Sequence, residues 1–112
     1  MVSRELIAAS TRPLVLAVLA KGENYGYAII QQVRELSGGD LEWSEGMLYP
    51  VLHRLEQEKL IVGFWKEAEN GRQRRYYRTS AAGKKALEKE RIQWQTVHST
   101  LTALWESKLC LT

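Results

Sequence analysis

Apolar residues in the first part of the chain recur on a helical spacing. Leu6, Ile7, Leu14, Leu16, Ala17, Val18 and Leu19 predict a helix of three or so turns within Glu5 to Lys21. Pro13 lies inside that stretch and predicts a kink or a late start, because proline lacks the amide donor that a helix interior needs. Gly22-Glu23-Asn24 has turn chemistry, and Asn24 is the expected N-cap of a second helix that carries Tyr27, Ile30, Val33 and Leu36 on one face. Ser37-Gly38-Gly39 ends that helix. After a short extended piece, Leu41 to Trp43, Ser44 is placed to cap a third helix, whose Leu48, Val51, Leu52 and Leu55 fall at i, i+3, i+4 and i+7. Three short helices in series predict a trihelical core.

The period then changes. Leu60 to Glu69 and Arg72 to Thr79 are rich in Ile, Val, Phe, Trp and Tyr, and they flank Asn70-Gly71, a strong hairpin signal. A two-residue turn there would set Trp65 opposite Tyr76, Phe64 opposite Tyr77, and Glu67 opposite Arg74. Ala81 to Leu109 has good helix formers, no proline, and Thr79 or Ser80 as a cap. Such a helix would run roughly 43 Å, longer than the domain it leaves, so much of it must project. Leu87, Trp94 and Leu101 recur every seven residues, and Val97, Leu104 and Leu111 form a second series offset by three. An exposed seam of this kind predicts a homodimer, with Leu6 and Ile7 of the first helix packed on the partner. The alternative is a helix folded back on its own domain.

Charge sharpens the picture. The net charge of the 112 residues is only +3, but Arg72, Arg74, Arg75, Arg78, Lys84, Lys85, Lys89 and Arg91 fall within a span holding two acidic residues. That is the electrostatic footprint of phosphate binding, or else a solvated charged face. The length suits one domain's core, and a composition of 45% hydrophobic and 26% charged residues removes support for disorder or a membrane span. Met1 to Thr11 lacks the apolar core and cleavage site of a secretory signal, so a cytoplasmic location is expected. Cys110 is the single cysteine, which excludes an internal disulfide, and it is expected to pack as a small hydrophobe. No glycine-rich phosphate loop, metal-ligand spacing or nucleophile set is present; His53, His98 and Cys110 lie in separate elements. No catalysis, cofactor or metal is expected.

Three helices followed by a hairpin with a basic tip predict a mainly α (α+β) chain: a winged helix-turn-helix over residues 1–79, with its β-hairpin wing, and a long C-terminal dimerisation helix over 80–112. In that fold the third helix enters the DNA major groove and the hairpin reaches the backbone or minor groove. The outer face of the third helix offers Ser44, Gly46, Tyr49, Pro50 and His53, with Arg54 at its flank, and the wing offers Gly71, Arg72, Arg74 and Arg75. Arg74 and Arg75 alternate faces, so one is expected to reach DNA and the other to pair with Glu67. The plainer alternatives are that His53 is an ordinary surface residue rather than a base reader and that Tyr49 belongs to the core rather than to a contact.

These strings resemble a known family. Gly26-Tyr27, the run from Gly46 to Glu56, Asn70-Gly71 leading into Arg74-Arg75-Tyr76-Tyr77-Arg78, and then Ala82-Gly83 are similar to the PadR family of transcriptional regulators, over about Leu14 to Leu104. The resemblance implies repression through a palindromic operator, relieved by an effector, and the single C-terminal helix looks like the family's short subfamily. It implies DNA contacts from Tyr49, Pro50, His53 and the wing around Gly71, Arg74 and Arg75. Trp94 resembles a tryptophan that, in a drug-sensing branch, stacks on planar molecules at the dimer centre. A small hydrophobic or aromatic effector is accordingly expected at Trp94, Val97, Leu6 and Ile7, although a seam tryptophan also serves as plain packing. The competing function is a ligand- or protein-binding dimer without specific DNA recognition.

Overall fold

The computed structural model describes residues 1–106. In chain order the elements are α1 (Arg4–Lys21), β1 (Asn24–Tyr25), α2 (Gly26–Leu36), α3 (Glu45–Gln57), β2 (Ile61–Glu67), β3 (Gln73–Thr79) and α4 (Ala81–Glu106). The expected end of the last helix at Leu109, the seam residue Leu111 and the packing of Cys110 lie outside the described residues.

α1 runs for 18 residues straight through Pro13, where the sequence led us to expect three or so turns. The Ser3 hydroxyl caps it by accepting from the Leu6 amide at 3.2 Å. Proline deprives only the Ala9 carbonyl of its donor, and Ala9 is exposed, so the freed acceptor is not buried and the helix continues. Beyond the proline, Val15, Leu16, Val18 and Leu19 enter the core with Ile29, Val33, Trp43, Leu48, Leu52, Leu55, Ile61 and Tyr77. Thr11 is buried as well, and its hydroxyl is satisfied by donating to the Ile7 carbonyl at 2.7 Å.

Asn24 does not cap α2. Tyr25 occupies that position without a side-chain bond, and Asn24 instead accepts from the Tyr25 amide at 3.0 Å. The two residues form a short third strand, with Asn24 opposite Tyr77 and Tyr25 opposite Tyr76, in the antiparallel order β1-β3-β2. Two residues are too few to show alternation, so the strand exists only because the edge of β3 offers it ladder bonds. Ser44, by contrast, caps α3 as expected, accepting from the Met47 amide at 3.2 Å.

The hairpin register differs by one from the two-residue-turn expectation. Phe64 pairs with Tyr76, Trp65 with Arg75, Lys66 with Arg74, and Glu67 with Gln73. The Gly71 amide donates to the Ala68 carbonyl at 2.9 Å and the Ala68 amide to the Arg72 carbonyl at 2.8 Å, so the connection is a three-residue loop. Gly71 has φ 83° whereas Asn70 stays at negative φ. That is a type I turn closed by a left-handed glycine, which only one residue with positive φ has to satisfy.

α4 starts at a crowded junction. The Ser80 hydroxyl accepts from the Gly83 amide at 3.0 Å and faces the carbonyls of Lys59 and Leu60 at 2.7 and 3.0 Å. A Cβ on Gly83 would overlap the Leu60 carbonyl oxygen. Ala86 and Leu87 rest against the core, and then α4 leaves it, giving a molecule 61 × 29 × 20 Å in extent. Arg12 on α1 ties this region together. Its Nη1 and Nη2 donate to both oxygens of Glu58, at 3.0 and 2.9 Å, and its Nε donates to Glu90 on α4 at 2.9 Å. The hydrogen-bonded guanidinium holds the Glu58 carboxyl below its ordinary range.

Two outcomes follow from this packing. Gly83→Ala must push α4 off the Leu60 backbone, and urea denaturation should show a loss of about 1–3 kcal/mol. Because Glu58 titrates lower when folded, its contribution is present above the ordinary carboxylate pKa and is lost as pH falls through the folded value. Glu58→Gln should therefore flatten the fall of the denaturation midpoint on acidification while leaving the rest of the pH profile in place.

Candidate nucleic-acid interface

Along α3 the core takes Leu48, Leu52 and Leu55, which are fully buried, and leaves an opposite face to solvent. Ser44, Gly46, Tyr49, Pro50, His53 and Arg54 all lie exposed there, together with Glu45 and Gln57. Pro50 sits in the second turn and cannot donate to the Gly46 carbonyl, so this face carries a free backbone acceptor as well as side chains. Gly46 has almost nothing near its Cα, which lets a ligand approach the backbone closely.

Tyr49 combines the two roles that its sequence left open. It is 41% exposed, yet its hydroxyl lies against the start of α2, where a Cβ on Gly26 would stand 2.6 Å from it. Burial, aided by the Glu45 charge and opposed by Arg74, pushes its phenol up, so Tyr49 remains a neutral hydrogen-bond donor and acceptor. Gly26 is what permits this seat.

The wing divides its cations between structural and unpaired positions. Arg75 turns toward α3 and pairs with Glu56 at 3.0 Å, not with Glu67, because the observed register places Gln73 opposite Glu67. The bridge passes directly over Gly63, where a Cβ would meet Arg75 and Glu56 atoms within 2.8 Å. On the other face, Lys66 and Arg74 are directly opposed, an unfavourable pairing of like charges. Separate partners relieve it. Lys66 pairs with Glu23 at 2.7 Å, while Arg74 stacks its guanidinium 4.6 Å from the centre of the Tyr25 ring. Among the described residues the buried Arg74 Nε has no hydrogen-bond acceptor, and the contact with the Tyr25 ring is what seats the guanidinium. Tyr25, Tyr76 and Phe64 continue as an aromatic row, with ring centres 5.3 and 6.0 Å apart.

The structure thus brings Tyr49 and Arg74 close enough for the charge of one to act on the other, and withdraws Arg75 into an ion pair. Gly71 and Arg72 are exposed at the wing tip, where the Arg72 amide donates to the Asn70 side chain at 3.1 Å. Among the described residues Arg54, Arg72, Arg74, Arg78, Lys84, Lys85 and Lys89 have no carboxylate partner. Sequence reasoning gave Tyr25 no role, since it follows the expected cap Asn24, and it counted Arg78 in the basic stretch without singling it out as a contact, because its lack of a partner depends on tertiary contacts.

A second feature lies between α1 and α4. An apolar groove of about 910 Å³ is lined by Leu6, Leu14, Ala17, Leu87, Trp94 and His98 among others. Of the residues expected at an effector site, Leu6 and Trp94 line it. Ile7 packs into its own core, and Val97 is exposed outside the lining. Ile92, Leu101, Leu104 and Trp105 are exposed further along α4, Trp105 by 72%. No helix among the described residues is long and apolar enough to cross a membrane.

Known proteins share both sequence and fold with this chain. The family described as "Transcriptional regulator PadR-like family" matches residues 15–89. Transcriptional regulator Rv3488 of Mycobacterium tuberculosis is 40% identical over 88 residues, covering 79% of this chain and 78% of that protein. The crystal structure of a PadR-like transcriptional regulator from Bacillus cereus superposes with a TM-score of 0.83 at 28% identity, covering 93% of this chain and 99% of that one. A Streptococcus mutans structure, smu.1704, gives a TM-score of 0.80 at 29% identity over 90% of this chain and 91% of that one. With the family match spanning well over half its length and a mainly α winged-helix fold to go with it, the chain belongs to the PadR-like family of transcriptional regulators.

Proposed function

We propose that the chain is a homodimeric repressor that binds a palindromic DNA operator through α3 and the β2–β3 wing. In this reading residues 1–79 are the DNA-binding unit, and α4, from residue 80 onward, is the dimerisation helix. The observation that carries it is the juxtaposition of an exposed, nearly uncharged α3 face with unpaired wing cations. Ser44, Gly46, Tyr49, Pro50 and His53 offer hydroxyls, a backbone acceptor and an imidazole for base edges and phosphates, with Arg54 beside them. Arg72, Arg74 and Arg78 supply positive charge for the backbone. Arg75 acts in this scheme through its grip on Glu56, holding the wing against α3, and Gly71 shapes the wing tip.

Dimerisation is supported by the row of exposed apolar side chains on a helix that runs past its own domain. Among the described residues Val97, Leu101, Leu104 and Trp105 are exposed large apolar side chains, and a two-fold partner would bury them. A small, planar, hydrophobic effector is the natural occupant of the groove at Trp94 and Leu6, where an indole face offers stacking. Such a molecule relieves repression to the extent that it binds the dimer's DNA-incompetent arrangement more tightly.

Selection of sites from a random duplex pool should enrich a palindrome. Titration of that site at two salt concentrations should show Arg74→Ala weakening binding and lowering the logarithmic salt slope by about one. His53→Ala should cost about 1–3 kcal/mol of discrimination at one base position with the slope unchanged. Salt-sensitive binding with no enriched sequence would instead support the dimer without specific DNA recognition. For the effector, equilibrium dialysis against a panel of planar aromatic dyes should show binding that Trp94→Ala weakens by about threefold to tenfold; dyes held equally by both forms would remove Trp94 from the site.

A further inference from the structure

How α4 leaves the domain is decided near its beginning. Its root is seated by Gly83 on the Leu60 carbonyl and by the Ser80 hydroxyl. Ala86 and Leu87 rest on the core one turn later. Two turns beyond the root, Glu90 accepts from Arg12 at 2.9 Å. Among the described residues no hydrogen bond or ion pair joins α4 to another element beyond Glu90. Those further along, between Arg91 and Glu88 and from the hydroxyls of Thr96 and Thr100, stay within the helix. A stiff rod is therefore held at a pivot, Gly83, and at a strut, Glu90.

The strut is shared. The guanidinium that donates to Glu90 gives its other two nitrogens to Glu58, the C-cap residue that follows α3. Arginine presents its N–H groups in a rigid planar fork, so two carboxylates on one guanidinium hold a defined mutual placement that a lysine could not impose. Arg12 is itself firmly seated, because Thr11, Val15 and Leu16 around it are fully buried. Among the described residues Glu90 has no other partner, its second oxygen being buried and unbonded. Partly exposed ion pairs add little to stability, so the consequence of this one lies in geometry. About 10 Å of helix separates the pivot from the strut and about 24 Å lies beyond it, so a shift at Glu90 is magnified at the far end.

We infer that Arg12 is a positioning residue that sets the angle between α4 and α3, and through it the separation of the two α3 helices in the dimer. The inference rests on the dimeric DNA-binding reading above. A two-fold dimer must place its reading helices about 34 Å apart, one turn of the duplex, so the angle at which α4 departs becomes a determinant of which operator spacing fits.

A nitroxide on Gln57→Cys, in a Cys110→Ser background that removes the native thiol, reports one distance across the dimer by pulsed electron spin resonance. The parent should give a narrow distribution. Arg12→Gln and Glu90→Gln should each broaden or shift it while dimer mass and denaturation midpoint stay near the parent's, and Glu88→Gln, which breaks only a pair within α4, should leave it unchanged. Identical distributions in all four proteins, or no distance between subunits because the chain is monomeric, would overturn the inference. Duplexes with the selected half-sites moved apart in single base-pair steps give the functional arm. Arg12→Gln should lose about fivefold to tenfold in affinity at the parent's preferred spacing and little elsewhere. An equal loss at every spacing would mark a contact or stability role and sink the positioning role. A parent with no spacing preference, whose label distance still responds to Arg12→Gln, would refute the operator reading and leave the positioning role standing.

Discussion

The contact on which the rest of the molecule depends is the close approach of Gly83 to the backbone at Leu60. A helix can meet a turn at that distance only where it has no side chain, and Gly83 is the one buried residue of α4. Lys59, in the left-handed region at φ 63°, lets the chain turn from α3 into β2, and the Ser80 hydroxyl closes onto the carbonyls of that turn. One small junction thus joins the end of α3, the first strand of the wing and the start of the projecting helix. Elements separated in sequence by more than twenty residues share a single rigid reference point.

From that junction outward the chain assigns its charged residues to different tasks. Arg75 with Glu56 holds the wing to α3, Lys66 with Glu23 holds it to the turn before β1, and Arg12 links α1, α3 and α4. Among the described residues Arg72, Arg74 and Arg78 on the wing and the lysines of the first turns of α4 have no carboxylate partner. Glu23, Glu42, Glu56, Glu58, Glu88 and Glu90 are taken up by other cations, so the wing arginines and these lysines keep their charge on a chain that is only mildly basic overall. Arg74 shows the same economy at one residue, its orientation supplied by an aromatic ring that leaves the charge unneutralised.

Membership of the PadR-like family is consistent with each of these features, and the winged-helix fold gives them a common frame. In the proposed reading, DNA recognition falls to α3 and the wing and assembly to α4, and the α3–β2 turn joins the two. In the proposed dimer the apolar groove between α1 and α4 lies beside that coupling, so an occupant would press on the same helix whose direction Arg12 and Gly83 establish.

The helices, the hairpin and the exposed face of α3 were legible in the sequence because each rests on local physics. Leu48, Leu52 and Leu55 repeat at helical spacing, Ser44 is a cap residue, and Asn70-Gly71 demands a turn. Ala81 onward carries nothing to stop a long helix, and its length alone required it to project. Tertiary structure decided whatever depends on a partner far along the chain. The hairpin register moved by one because a left-handed Gly71 closes a three-residue loop without straining Asn70, a choice between two turns that both use the same residues. β1 formed because β3 had a free edge, and Asn24 gave up its expected cap for it. Ile7 went to its own core and Leu6 to the groove, although they are neighbours of similar hydrophobicity, because successive helical residues point 100° apart. The partners of Arg75 and Arg74 followed from that register and that extra strand, which no local pattern encodes.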